Sequence, residues 1–377
     1  MTSMHATEAG GAKCRRVVLF GAFDRHNFGD LLLAHSAVAR YAGREPVFAG
    51  LAERDLRALG GHHVHALGDV IAALGNEAVD LVHVGGEVLT TTAWEAAVML
   101  QSADDATRAI SAYERNPDAR QQWAESVLGT TRRIPYVVGR DELPSGWTVR
   151  FDAVGGVALD RLAADERTEV FEALNTAASL SVRDRQTLEA LGRGGVRAAL
   201  VRDAAAATAD LLGDAIASRA RSGEVAAVSA RIPNWVAVQV AADRGDDATL
   251  DRLAQALREH DVLRDIGTVL FRAGLAPWHD DRQTLDRLAA RLAGRPLAIL
   301  ESAHLLDICA VLAGARAYLG TSLHGWIIAD SFHVPAHCLV RTARDKAAAY
   351  IDTWSPAGRR WRTLDDPDLL PTPGGGR

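Results

Sequence analysis

Short apolar runs alternate with longer amphipathic stretches along nearly the whole chain, and this alternation most constrains the fold. Residues 16–21 (RVVLFG), 79–84 (VDLVHV) and 235–240 (WVAVQV) are strand-length and almost wholly apolar. Runs of that kind, separated by helix-length segments, predict parallel sheets covered by helices on both faces. The right-handed crossover rule then leads to doubly wound, Rossmann-like units. In the first series, further strands are expected at 46–49, 134–138, 152–154, 179–182 and 198–201. Helices are expected at 30–41, 52–59, between 92 and 128, and at 184–191. A second series places strands at 235–240, 267–271, 317–319 and 335–339, and helices at 249–260, 281–292, 305–314, 323–332 and 344–354. The Ala-rich stretch 203–224 separates the two series, with a boundary expected at 210–222.

A chain of 377 residues exceeds one ordinary core and favours two domains. The predicted class is therefore α/β, with two Rossmann-like domains and a central cleft. The units are expected at 14–212 and 223–355, with a disordered N-terminus at 1–13 and a tail at 356–377. A formal charge of −6 provides no basic field, so nucleic acid is not an expected partner. Cys14, Cys309 and Cys338 lack disulfide or zinc-type spacing, which suits a reducing cytoplasm and no metal site. No apolar run approaches membrane-spanning length, about 18 residues, and no signal-peptide core is seen near the start.

Ligands of doubly wound folds sit at the carboxyl ends of strands, so the loops there carry the candidate chemistry. The first is GAFDRHNFGD at 21–30. It is neither G-x-G-x-x-G nor a P-loop. Gly29 allows close backbone approach, Asn27 is a ligand contact or a turn residue, and Asp30 is a helix cap or a carboxylate base. The second is the turn Gly85-Gly86-Glu87, where Glu87 is a polar contact and His83 a packed core histidine. The third is Arg183-Asp184, after a strand. Arg183 suits a carboxylate or phosphate, or else pairs with a carboxylate, with Asp184 capping the next helix. Arg202-Asp203 repeats that pattern. The fourth is TSLHG at 321–325. Thr321 or Ser322 caps a helix, Gly325 lies in its first turn, and His324 beside a bound anion could donate a proton. Residues 278–281 (WHDD) form a loop that is a cap or a cleft contact.

The N-F-G-D loop at 27–30, V-H-V-G-G-E at 82–87, S-V-R-D at 181–184 and T-S-L-H-G at 321–325 resemble, in order and spacing, the motifs of the polysaccharide pyruvyl transferase family. The resemblance runs over residues 16–352. It implies a fold like the B-type glycosyltransferases. It also implies transfer of the enolpyruvyl unit of phosphoenolpyruvate onto a sugar acceptor, as a cyclic ketal, with no other cofactor. On that basis His324, Asp30 and Arg183 are the expected catalytic residues. Asn27, Gly29, Gly85, Gly86, Glu87, Asp184, Thr321, Ser322 and Gly325 are the expected substrate contacts. One departure is Ser322, where many members carry arginine; Arg183, Arg244 and Arg341 are candidates to replace that cation. A sugar-nucleotide glycosyltransferase and an inactive carbohydrate-binding protein are the alternatives.

Overall fold

The structure, a computed structural model, describes residues 15–41, 43–44, 46–260, 266–355 and 360–371. Cys14, the N-terminus expected to be disordered at 1–13, and residues 372–377 of the end expected to be disordered at 371–377 lie outside the described residues. Two sheets organise the chain. The first holds β1 (Arg16–Phe20), β2 (Val47–Gly50), β3 (Arg54–Asp55), β4 (His63–Ala66), β5 (Val79–Val84), β6 (Trp147–Val154), β7 (Ser179–Val182) and β8 (Ala199–Leu200). The second holds β9 (Trp235–Gln239), β10 (Gly267–Leu270), β11 (Leu297–Ile299), β12 (Ala317–Gly320), β13 (Ala336–Leu339) and β14 (Trp361–Arg362).

The second sheet has the order β11-β10-β9-β12-β13-β14, all parallel. This is the doubly wound order, in which the chain leaves its first strand in one direction and later returns to its other side. The first sheet repeats that plan as β4-β2-β1-β5-β6-β7-β8, with β3 added antiparallel at one edge. Each sheet therefore has one point where the winding reverses. In the first it lies between β1 and β5, and in the second between β9 and β12.

The sequence dictates these strands directly. Val17, Val18, Leu19 and Phe20 are fully buried, as are Leu81 and Val82. Strands covered on both faces can be apolar throughout rather than alternating. One apolar cluster runs from β1 and the helix Phe28–Arg40 through Leu305, Ile308, Tyr318, Trp326 and Tyr350, and so belongs to both halves. Separate clusters fill the outer faces of the two sheets. No described helix is long and apolar enough to cross a membrane.

Several expected elements differ. Residues 52–59 form β3 and a short 3₁₀ turn, Arg57–Leu59, rather than a helix. The stretch lacks a wide apolar stripe, and Gly60, in the left-handed region at φ 83°, ends it. Residues 134–138 are buried but form no strand, because Pro135 cannot donate to a central ladder. Residues 152–154 are only the end of the longer β6. The helices Leu67–Leu74 and Ala164–Asn175, and the strands β4, β11 and β14, were not anticipated. Residues 360–371, expected as tail, add β14 to the second sheet and bury Leu369 and Leu370. The expected boundary at 210–222 covers most of the helix Thr208–Ala220 and the turn before the helix Gly223–Arg231. These dock on Leu305–Ala313, where Arg219 Nε donates to Asp307 Oδ1 at 2.5 Å.

Candidate active site

Both reversal points open onto one cleft. In the first half, the loop after β1 leads into the helix Phe28–Arg40. Asn27 caps that helix by accepting the Gly29 N–H at 3.0 Å, which leaves Asp30 uncommitted in the first turn. Capping is thus done by Asn27, not by Asp30. The Asn27 amide also donates to His279 Nε2 at 3.1 Å, and the Phe28 N–H donates to the Ala273 carbonyl at 2.9 Å. These bonds clip the two halves together beside the site. Burial drives the His279 pKa down to about 4, so its ring is neutral and free to accept that bond.

After β5, Gly85 and Gly86 adopt φ 51° and 75°, values that favour glycine. They turn Glu87 toward the cleft. In the second half, β12 ends at Gly320 and the helix Leu323–Ser331 begins. Ser322 caps it by accepting the Gly325 N–H at 3.1 Å, and Gln239 Oε1 accepts the Thr321 and Ser322 N–H groups at 3.0 and 2.9 Å. His324 therefore stands in a fixed first turn. A side chain at position 29 would begin 1.9 Å from His324 Nδ1, so Gly29 makes room for the histidine instead of touching a ligand.

One corner of the site is a chain of charges. Arg183 Nη2 donates to Glu87 Oε2 at 2.7 Å, and its Nη1 donates to Asp203 Oδ2 at 3.0 Å. The same Asp203 oxygen lies 3.6 Å from His324 Nε2. Asp203 is fully buried. Burial alone would raise its pKa, but His324, Arg183 and the Ala205 N–H outweigh burial and hold the carboxyl far below its usual range. Burial likewise opposes the Arg183 charge, and Glu87 and Asp203 more than compensate. Arg183 thus has both ends of its guanidinium engaged by carboxylates, which corrects the expectation that it grips an anion directly.

Glu87, Arg183 and His324 line a cavity of about 500 Å³ together with Asn27, Asp30, Arg25, Arg244, Lys346, Thr321 and Ser322, with Asp203 buried behind them. Its lining does not include Gly29, Gly85, Gly86, Asp184 or Gly325. Gly85 and Gly86 shape the turn behind Glu87. Asp184 is buried as the cap of Arg185–Arg193, accepting from Thr187. A Cβ on Gly325 would meet the Tyr318 hydroxyl at 2.3 Å. Of the candidates to replace the missing arginine, Arg244 lines the cavity, whereas Arg341 is exposed, bonded to Asp243 and not among the lining residues.

Linear reading passed over Arg25 and Lys346. Arg25 is buried against Tyr136 and Asp24, yet its Nε has no hydrogen-bond partner among the described residues. Lys346 begins the helix Lys346–Trp354. Asp203 was visible as an echo of Asp184 but was not selected. In the 278–281 loop, Asp281 caps a helix and Asp280 enters the cleft, accepting from Gln239 Nε2 at 2.8 and 2.9 Å. Burial pushes the Asp280 carboxyl up to about 7 against the pull of those bonds.

Two parallel doubly wound sheets facing one cleft define a B-type glycosyltransferase-like architecture. UDP-GlcNAc 2-epimerase from Methanocaldococcus jannaschii shares it, with a TM-score of 0.54 and 13% identity over 96% of each chain. UDP-GlcNAc 2-epimerase from Neisseria meningitidis gives 0.49 and 11%, over 89% of this chain and 85% of that one. E. coli heptosyltransferase WaaC gives 0.40 and 13%, over 94% of each. At such identities the likeness speaks for the fold alone, and the first comparison carries it. No curated protein matches the sequence. The family profile of polysaccharide pyruvyl transferase matches residues 163–342, which include Arg183, Asp203 and His324. The family resemblance read from the motifs is thus shown over that span, in a family of transferases.

Proposed function

We propose that the chain transfers the three-carbon unit of phosphoenolpyruvate to a sugar, forming a cyclic ketal on two hydroxyls. The observation that supports this best is the joining of Arg183 and His324, from opposite halves, through one buried carboxylate at the edge of a cavity that Arg25, Arg244 and Lys346 also line. Phosphoenolpyruvate carries a phosphate and a carboxylate. Arg25, Arg244, Lys346 and the N-terminus of Leu323–Ser331 supply the charges to hold them. Lys346 and Arg244 stand in for the arginine replaced by Ser322.

In this reading His324, 3.6 Å from the Asp203 carboxylate, gives a proton to the methylene carbon. The carbon bearing the phosphate becomes oxocarbenium-like, and a sugar hydroxyl attacks it as Asp30 takes the hydroxyl proton. The C–O bond to phosphate then breaks. The second hydroxyl closes the ring, and its proton restores His324. The Asp30 proton leaves with the phosphate, so two hydroxyl protons end on the new methyl group and on phosphate. Arg183 acts as a positioning residue that holds Asp203 against His324.

Phosphate release from phosphoenolpyruvate in the presence of a panel of sugar acceptors tests this directly. Release that depends on both substrates is the expected result. Stabilisation by nucleotide sugars but not by phosphoenolpyruvate in a thermal-shift panel would instead point to a glycosyltransferase.

A further inference from the structure

We propose that Glu53, His63 and His65 form a binding site for a borderline divalent transition-metal ion, with zinc as the expected occupant, at the β3–β4 edge of the first sheet. Val64 is fully buried, and alternation along a strand puts its neighbours His63 and His65 together on the other face. β3 pairs antiparallel with β4, with Asp55 opposite His63 and Arg54 opposite Val64. The residue preceding β3, Glu53, is thereby brought alongside His65. One donor atom from each of the three side chains lies within 4.8 Å of the others. Glu53 Oε1 and His63 Nε2 are already 3.0 Å apart, and the rings of His63 and His65 have centroids 4.6 Å apart. Donor atoms around a tetrahedral zinc, bound at about 2.0–2.2 Å, are separated by roughly 3.5 Å, so only small rotamer adjustments are needed.

Two imidazoles and one carboxylate favour zinc, copper, nickel or cobalt over magnesium or calcium. Three protein donors leave a position open for water. The surroundings suit a cation. Arg57 is turned onto Asp55, and Arg54 onto the Glu53 and Leu100 carbonyls, so neither guanidinium is bonded to the cluster. The backbone just before Glu53 is anchored as well, since the Leu51 N–H donates to Asp24 Oδ2 at 2.6 Å and the Ala52 N–H donates to it at 3.3 Å. The carboxylate is thus presented by a held loop. This site is independent of the pyruvyl-transfer reading.

Isothermal titration of the tag-free full chain with Zn²⁺ tests it. One saturable equivalent is expected, with no binding of Mg²⁺, and the ion should raise the melting temperature as any ligand of the folded state must. His63→Ala and His65→Ala should each weaken zinc binding at least about tenfold, and Glu53→Gln should weaken it as well. Circular dichroism and apo melting temperature establish that the variants fold. Should an alanine variant fail to fold, cobalt absorption in wild type against Glu53→Gln gives the same comparison. No saturable zinc binding, or equal binding by wild type and the folded variants, overturns the proposal.

Discussion

Two arginines line the same cleft under opposite conditions. The Arg183 side chain is 3% exposed and lies between Glu87 and Asp203, whereas Arg244 is 19% exposed and has Asp345 as its nearest carboxylate partner. A guanidinium with both faces engaged serves the architecture of a site. One that is more exposed and lines the same cavity as Lys346 is the one the proposed function assigns to a ligand. The strand-end arginine that looked most like an anion contact is therefore the one that organises other side chains.

The sharpest test of this contrast begins with the residue that Arg183 supports. His324→Ala should lower turnover by about 10²–10⁴, far more than the loss of folded chain that thermal unfolding records would explain, as read by phosphate release. Unchanged turnover would remove His324 from the chemistry. Arg183→Leu leaves Glu87 and Asp203 without their cation. Breaking a buried pair in this way costs about 3–5 kcal/mol, measurable by urea unfolding. Arg244→Ala should do the reverse, raising KM for the anionic donor by roughly 10-fold or more with little change in stability. Equal stability losses in the two variants would erase the distinction.

A pH experiment sharpens it further. Asp280 titrates at about 7 in the folded chain because burial disfavours its charge. Unfolded, it loses its proton near 4. Between those values the folded state holds a proton that the unfolded state has released, so this residue's contribution to stability falls as pH rises from about 4 to 7 and is flat beyond. Asp280→Asn should abolish that decline in a series of unfolding curves. The smallest effect is expected for Asn27→Ala, which loses a helix cap at about 1 kcal/mol and also the bond to His279.

Much of the architecture was legible because β1, β5, β9 and β12 are nearly continuous apolar runs, and because Asn27, Glu87, Arg183 and His324 each follow the carboxyl end of a strand. What was not legible depends on partners distant in sequence. Asp203 becomes a site residue only because the second half brings His324 to it. Gly29 matters through the ring it accommodates. The 52–59 segment reads as helical locally, yet pairing with β4 makes Arg54–Asp55 a strand, and that pairing brings Glu53 to His65. Residues 134–138 have a strand's composition, but Pro135 and a buried Tyr136 bonded to Asp24 give them a different place.

The apolar cluster that crosses from the helix Phe28–Arg40 into Leu305–Ala313 has a mechanical consequence. Bilobal proteins that close like jaws need a thin, easily sheared connection between lobes. Here the lobes share a common interior, and opening them would expose Phe28, Leu31 and Leu305 to water. Because the two halves share that interior, calorimetry should record the melting of the chain as a single transition.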